Sequence, residues 1–175
     1  MTRKLLTAVA LAAAPLFAAG FASNAMATVE LELTSGGSTT GILFGAPCGT
    51  KTCVTFNGAV GAWDINLTTG FSAGPGNPIM DLSSFDATSG FGAAPLEVEL
   101  SDNGFSIGSL LFLLKSSGHI VSGSGTATYS AYFDTGNTDF VKTTLIGTLG
   151  PFSGDYLANV AGAGTAGTPY SLTSA

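Results

Sequence analysis

Apolar and polar residues alternate from Thr28 onward: Val29, Leu31 and Leu33 interleave with Glu30, Glu32 and Thr34. Successive side chains of a strand point to opposite faces, so this pattern puts apolar groups on one side and charge on the other, as in a half-buried β-strand. The same period recurs over 62–68, where Trp63, Ile65 and Leu67 share a face, and over 95–101, where Leu96, Val98 and Leu100 oppose Glu97 and Glu99. Further strands are predicted over 53–60, 107–115, 125–134, 139–148 and 152–160. Turn formers separate them, notably Gly74-Pro75-Gly76-Asn77-Pro78 and Asp102-Asn103-Gly104. No stretch carries a helical apolar stripe bounded by caps. The pattern predicts an all-β domain, an antiparallel β-sandwich with jelly-roll or Greek-key-like connections. A small outer-membrane β-barrel is the architectural rival. A barrel needs a continuously apolar exterior with aromatic girdles, whereas Ser and Thr fill one face of several strands here.

The N-terminus changes the picture of where this domain resides. Arg3 and Lys4 precede an apolar stretch from Leu5 to Phe17, and Ala25-Met26-Ala27 fits the small-x-small cleavage rule. The stretch is short for a membrane span. Residues 1–27 are therefore predicted to be a signal peptide and residues 28–175 a single exported β-sandwich domain. Composition agrees, with 25 Gly and only 9% charged residues, far below the usual quarter. Removal of residues 1–27 leaves Lys51, Lys115 and Lys142 as the basic residues against all 11 acidic ones. Binding a phosphate backbone needs clustered Lys and Arg, so nucleic acid is excluded as a partner, and an anionic lipid surface is disfavoured for the same reason.

Candidate chemistry is sparse. Cys48 and Cys53 flank Gly49-Thr50-Lys51-Thr52, and an even cysteine count in an exported chain predicts a disulfide. Zinc would need more soft ligands than these two cysteines and His119, the single histidine, provide. Gly70-Phe71-Ser72-Ala73-Gly74 matches the nucleophile-elbow spacing, and Asp102 and His119 follow in hydrolase order. That elbow must join a strand to a helix, yet Pro75, Gly76 and Pro78 follow directly, so the segment reads as a turn and the protein as a non-enzyme. Asp134-Thr135-Gly136-Asn137-Thr138-Asp139 offers Asp134, Asn137 and Asp139 as oxygen donors for calcium, the one cofactor the sequence suggests. The same residues also suit an Asx-type turn between strands. Tyr129, Tyr132, Phe133, Phe140, Phe152, Tyr156 and Tyr170 are the pool from which a sugar-binding platform would be drawn, although a sandwich buries most of its aromatics.

The segments Val29-Glu30-Leu31-Glu32-Leu33-Thr34-Ser35-Gly36, Val54-Thr55-Phe56-Asn57-Gly58-Ala59-Val60-Gly61-Ala62-Trp63-Asp64-Ile65-Asn66, Tyr132-Phe133-Asp134-Thr135-Gly136-Asn137-Thr138 and Gly150-Pro151-Phe152-Ser153-Gly154 occur in that order. In this the chain resembles exported bacterial proteins of the PEP-CTERM type, which carry a C-terminal Pro-Glu-Pro sorting signal. The resemblance implies a β-sandwich exported by a Gram-negative, exopolysaccharide-producing bacterium to its surface or extracellular matrix, with no assigned activity. The sequence holds no Pro-Glu-Pro and no apolar span or basic cluster after it. The expectation is a domain without its anchor that lacks its last strand and self-associates through the edge left open. Two functions follow: a structural matrix protein, or a carbohydrate-binding module for exopolysaccharide.

Overall fold

A computed structural model describes residues 28–107, 109–165 and 168–175. The predicted signal peptide lies outside them. Thirteen strands form three sheets, and every pairing between neighbours is antiparallel. They are β1 (Glu30–Ser35), β2 (Ser38–Thr39), β3 (Leu43–Phe44), β4 (Ala46–Cys48), β5 (Lys51–Val60), β6 (Trp63–Ser72), β7 (Met80–Ser89), β8 (Leu96–Phe105), β9 (Ser109–Gly118), β10 (Ala127–Asp134), β11 (Thr144–Phe152), β12 (Tyr156–Thr165) and β13 (Tyr170–Ser174).

The long sheet has the order β11-β10-β13-β8-β1-β2, and β3 also pairs with β1. Opposite it lie two smaller sheets, β4-β5-β6-β7 and the β9–β12 pair. The neighbours β10-β13-β8-β1 are far apart in sequence, which is the crossing connectivity of a sandwich. Among the described residues no pairing joins the two ends of the long sheet, which stays open at β11 and β2.

The alternation read from the sequence sets the first half of the core. Val29, Leu31 and Leu33 of β1 and Leu100 of β8 pack against Val54 and Val60 of β5 and Ile65 and Leu67 of β6. Trp63 joins this cluster, and its indole N–H donates to the Ala94 carbonyl at 2.8 Å. A second cluster, Phe105, Phe112, Phe133, Tyr170 and Leu172, fills the space between the long sheet and β9. Phe112 stacks on Phe133 and meets Tyr170 edge-on, geometries favoured by the ring quadrupole. Met80 touches both clusters.

Three expectations about elements need correction. Asp102-Asn103-Gly104 is not a turn: β8 runs through it, with Gly104 at φ 77° beside a register shift against β13. Residues 139–143 belong to a loop, and β11 starts at Thr144. The stretch 152–160 contains the turn at residues 153–155 that joins β11 to β12.

The C-terminal strand also differs from expectation. β13 is central, paired with β10 on one side and β8 on the other, and Ala175 exchanges both backbone hydrogen bonds with Ser130. Among the described residues the edge strands are β11 and β2 of the long sheet, β4 and β7 of one small sheet and β9 and β12 of the other.

Candidate functional site

The loop 135–143 crosses the outer face of the long sheet as a strap; it carries two of the predicted calcium donors, Asn137 and Asp139, and the third, Asp134, ends β10 just before it. The Asp134 carboxylate accepts the Thr143 hydroxyl and the Thr138 amide. The Thr143 hydroxyl, outweighing the effect of burial and helped by the Thr138 and Gly136 amides, holds its pKa below the ordinary value. Asn137, at φ 57°, accepts the Gly104 amide on its side-chain oxygen at 2.7 Å. Asp139 lies 3.1 Å from the Ser101 hydroxyl through one oxygen and accepts the Asn103 side-chain amide on the other. Burial raises its pKa despite those bonds. The oxygens thus bond separate partners: Asp134 caps its own loop locally, as Asp does in turns, whereas Asn137 and Asp139 reach across to β8. Among the described residues no group of three or more His, Cys, Asp or Glu is arranged to hold a metal ion.

The strap is fixed at further points. The Ser171 hydroxyl donates to the Thr138 carbonyl at 2.7 Å, and the Lys142 ammonium pairs with Glu97 at 2.8 Å and with Glu99. It covers the outer side of β13, which explains why Ser171 and Thr173 are as buried as Tyr170 and Leu172 on the inner side.

Of Ser72, Asp102 and His119, the first two meet and His119 does not join them. Ser72 ends β6, so Gly70–Ser72 of the elbow-like segment are strand, while Ala73 and Gly74 lead into the turn closed by the Asn77 amide on the Gly74 carbonyl. Ser72 and Asp102 are wholly buried. Burial pushes Asp102 up to about 6; the Ser72 hydroxyl and the Asn103 amide oppose the rise, and the Asp139 charge reinforces it. Asp102 is level in register with Leu172, which is level with Phe133. His119 follows Gly118, the register partner of Tyr156, and Tyr156 packs on Tyr129, four residues back along β10. The imidazole is exposed there, bonded to Asp155.

Cys48 and Cys53 form a disulfide with a Cα–Cα distance of 5.8 Å, clipping the short edge strand β4 to β5. Of the aromatic pool, Phe133 and Tyr170 are core and the others are half-buried. Phe152 and Tyr156 stack at 4.4 Å, and the Tyr129 and Tyr156 hydroxyls bond one another. The most exposed aromatics are Phe91 and Phe44, neither in the predicted pool.

A concave feature lies elsewhere. A cleft of about 300 Å³ opens between the start of β7 and the middle of β9, floored by β10 and β13 of the long sheet. Ile79, Met80, Leu114, Ala131, Ile146 and Leu172 give it an apolar lining. One wall is the edge strand β9, and the other is the segment Pro78–Met80 that leads into β7, where the Ile79 amide donates to the Asn77 carbonyl and the Ile79 carbonyl accepts the Ala73 amide. The sequence reading missed it because two of the strands that build it, β7 and β13, were not predicted; Met80, Leu82 and Tyr170, Leu172 were the available signals. Comparison of the chain with family models, with curated proteins and with solved structures finds no match in any of the three.

Proposed function

We propose that the chain is an exported, non-enzymatic structural protein of the surface or extracellular matrix of a Gram-negative, exopolysaccharide-producing bacterium. One observation carries most of this reading: the polar groups that the sequence offers for chemistry are tied to the strap, buried, or, at His119, exposed on Asp155 apart from the others, while the cleft is mostly apolar. An active site needs convergent polar groups around a space for substrate. The leader-like N-terminus, the Cys48–Cys53 disulfide and the resemblance to anchored surface proteins support export.

Fractionation of the native host tests it. The chain trimmed at Thr28 is expected in the polymer or surface fraction by intact mass. Its recovery only from cytoplasm, or as a heat-modifiable outer-membrane species, overturns the reading.

A carbohydrate-binding role is the second reading, favoured by the half-buried Tyr129, Phe152 and Tyr156 stack beside the exposed His119–Asp155 pair. Sugar sites combine an aromatic face with flanking polar groups. Tyr156→Ala is then expected to reduce retention on the host exopolysaccharide; unchanged retention removes this reading.

A further inference from the structure

The cleft beside β9 owes its depth to one cross-strand row. On the inner face of the long sheet Phe133 of β10 stands level with Leu172 of β13, and Phe112 stacks on Phe133 to fill the space above them. Two residues along, Ala131 stands level with Ser174, and on its other side with Gly147 of β11. Side chains on one face recur every second residue, so a row of large groups is followed by a methyl, a hydroxymethyl and a hydrogen. Val160 of β12 takes up the space where a Gly147 side chain would stand. Over Ala131 and Ser174 the volume stays open, about 300 Å³ between Ile79 and Met80 on one side and Leu114 on the other.

We propose that this cleft binds one linear aliphatic molecule of about eight to ten carbons with a single neutral polar group, an alcohol, ester or amide in chemical class. Such a ligand is independent of the structural role above and of the compartment. Volume sets its length. A dry cavity of about 150 Å³ holds one benzene ring, so twice that volume takes up to about twelve carbons, and fewer where the trough opens to water. The wall at Pro78–Met80 has the Ile79 amide and carbonyl already bonded to Asn77 and Ala73, so Ile79 meets a guest through its side chain. Met80, unbranched and polarisable, and the branched Leu114, Ile146 and Leu172 suit a flexible saturated chain.

Polarity narrows the ligand further. Among the described residues that line the cleft no side chain is charged, so a carboxylate or ammonium head would be desolvated there without a counterion. The Ser174 hydroxyl, half-buried in the floor, makes no hydrogen bond among the described residues, and a neutral hydroxyl or carbonyl gives it a partner. One chain fills the volume, and an acidic protein without a basic cluster gives a bilayer surface no hold, so the guest is a free single-chain amphiphile and not a membrane lipid.

Titration of the 15N-labelled full chain with 1-hexanol, 1-heptanol and 1-octanol tests this. The expected result is saturable amide shifts centred on residues 79–80, 111–114, 131, 146 and 172–174, with affinity rising up to about fourfold for each added methylene. Octanoate, octylammonium and 2-phenylethanol are expected to bind about tenfold more weakly than 1-octanol. Dihexanoylphosphatidylcholine, a two-chain lipid kept below micelle formation, is expected not to displace 1-octanol. Ser174→Ala is expected to weaken 1-octanol about three- to tenfold, and Ala131→Leu, which fills the floor, by at least as much, each with an unchanged apo spectrum outside the cleft. If Ala131→Leu perturbs the fold, Ser174→Ala and the chain-length series still decide. Absence of saturable shifts at millimolar 1-octanol, shifts centred on the exposed Leu157 or Val121, or affinity independent of chain length overturns the proposal. So does equal binding of octanoate, octylammonium or 2-phenylethanol, displacement by the two-chain lipid, or unchanged binding in Ser174→Ala.

Discussion

Ser101 of β8 and Asp139 of the strap face each other at 3.1 Å, hydroxyl to carboxylate, on the outer side of the long sheet. The same hydroxyl accepts the Phe140 amide at 3.0 Å and lies 3.0 Å from the Thr173 hydroxyl on β13. One wholly buried oxygen thereby ties the loop 135–143 to two central strands. This contact accounts for an acidic residue resting half-buried against a sheet that already carries Glu97 and Glu99 on that face.

Ser101→Ala is expected to destabilise the chain by about 1–3 kcal/mol, since it leaves the Phe140 amide and an Asp139 oxygen without partners in a partly buried place. Ser130→Ala, which removes an exposed hydroxyl pair with Thr148, is expected to change stability by about 0.5 kcal/mol or less. Urea unfolding of both variants checks the contrast. Equal losses would mean the strap is not anchored at Ser101.

Gly162 of β12 faces β11 so closely that an added Cβ would press on the Ile146 carbonyl, which is backbone and cannot rotate away. Gly162→Ala is expected to cost about 1–3 kcal/mol by overpacking. Gly154, in the turn between the same strands, has open space where a Cβ would sit, so Gly154→Ala is expected to be near neutral. Thermal unfolding of the pair, with matching midpoints as the contrary result, decides whether β12 lies as tightly on β11 as described.

Much of the first core cluster was legible because β1, β6 and β8 keep strict alternation: Leu31, Ile65 and Leu100 are apolar, inward and buried. β7 escaped because its phase breaks. Met80 and Leu82 share one parity and Phe85 and Ala87 the other, yet all four pack on the same core, with Ser84 at φ 54° absorbing the change. β13 escaped for a different reason. It is buried on both faces, so its Ser171 and Thr173 look like surface residues until the strap covers them, with the Thr138 carbonyl as partner for Ser171 and Ser101 of β8 as partner for Thr173. In the Asp134 loop the sequence showed which oxygens lie near one another along the chain. What they bond to depends on Gly104, Ser101 and Asn103, more than 30 residues away in sequence, which no local pattern encodes.

Reduction of the Cys48–Cys53 disulfide is expected to leave the sandwich intact. Every residue of β4 is exposed, and the bridge spans a sequence separation of 5. Loop-closure entropy for so short a loop amounts to about 2 kcal/mol at most. Under dithiothreitol, amide exchange should quicken in β4 and the adjoining end of β5 alone. Loss of protection in β1 or β8 on reduction would show that the clip holds the core.

The pH dependence of stability isolates Asp102. Its ordinary value is 3.8 and its folded value about 6, raised chiefly by burial, so the folded state holds the proton more tightly than the unfolded chain. Stability from this group is fully present below pH 3.8 and is lost as pH rises through about 6. Glu30 and Asp139 are shifted upward as well and act in the same direction, whereas Asp134 is lowered and contributes above its ordinary value, losing its effect only in more acid solution. The melting temperature is therefore expected to fall by about 5 °C between pH 4.5 and pH 7. Asp102→Asn keeps the shape beside Ser72 and removes the titration, so most of that slope should vanish while the variant matches the parent near pH 4. A wild-type profile that rises over this range, or a slope unchanged in the variant, would locate the pH dependence in the general acidity of the surface and not at Asp102.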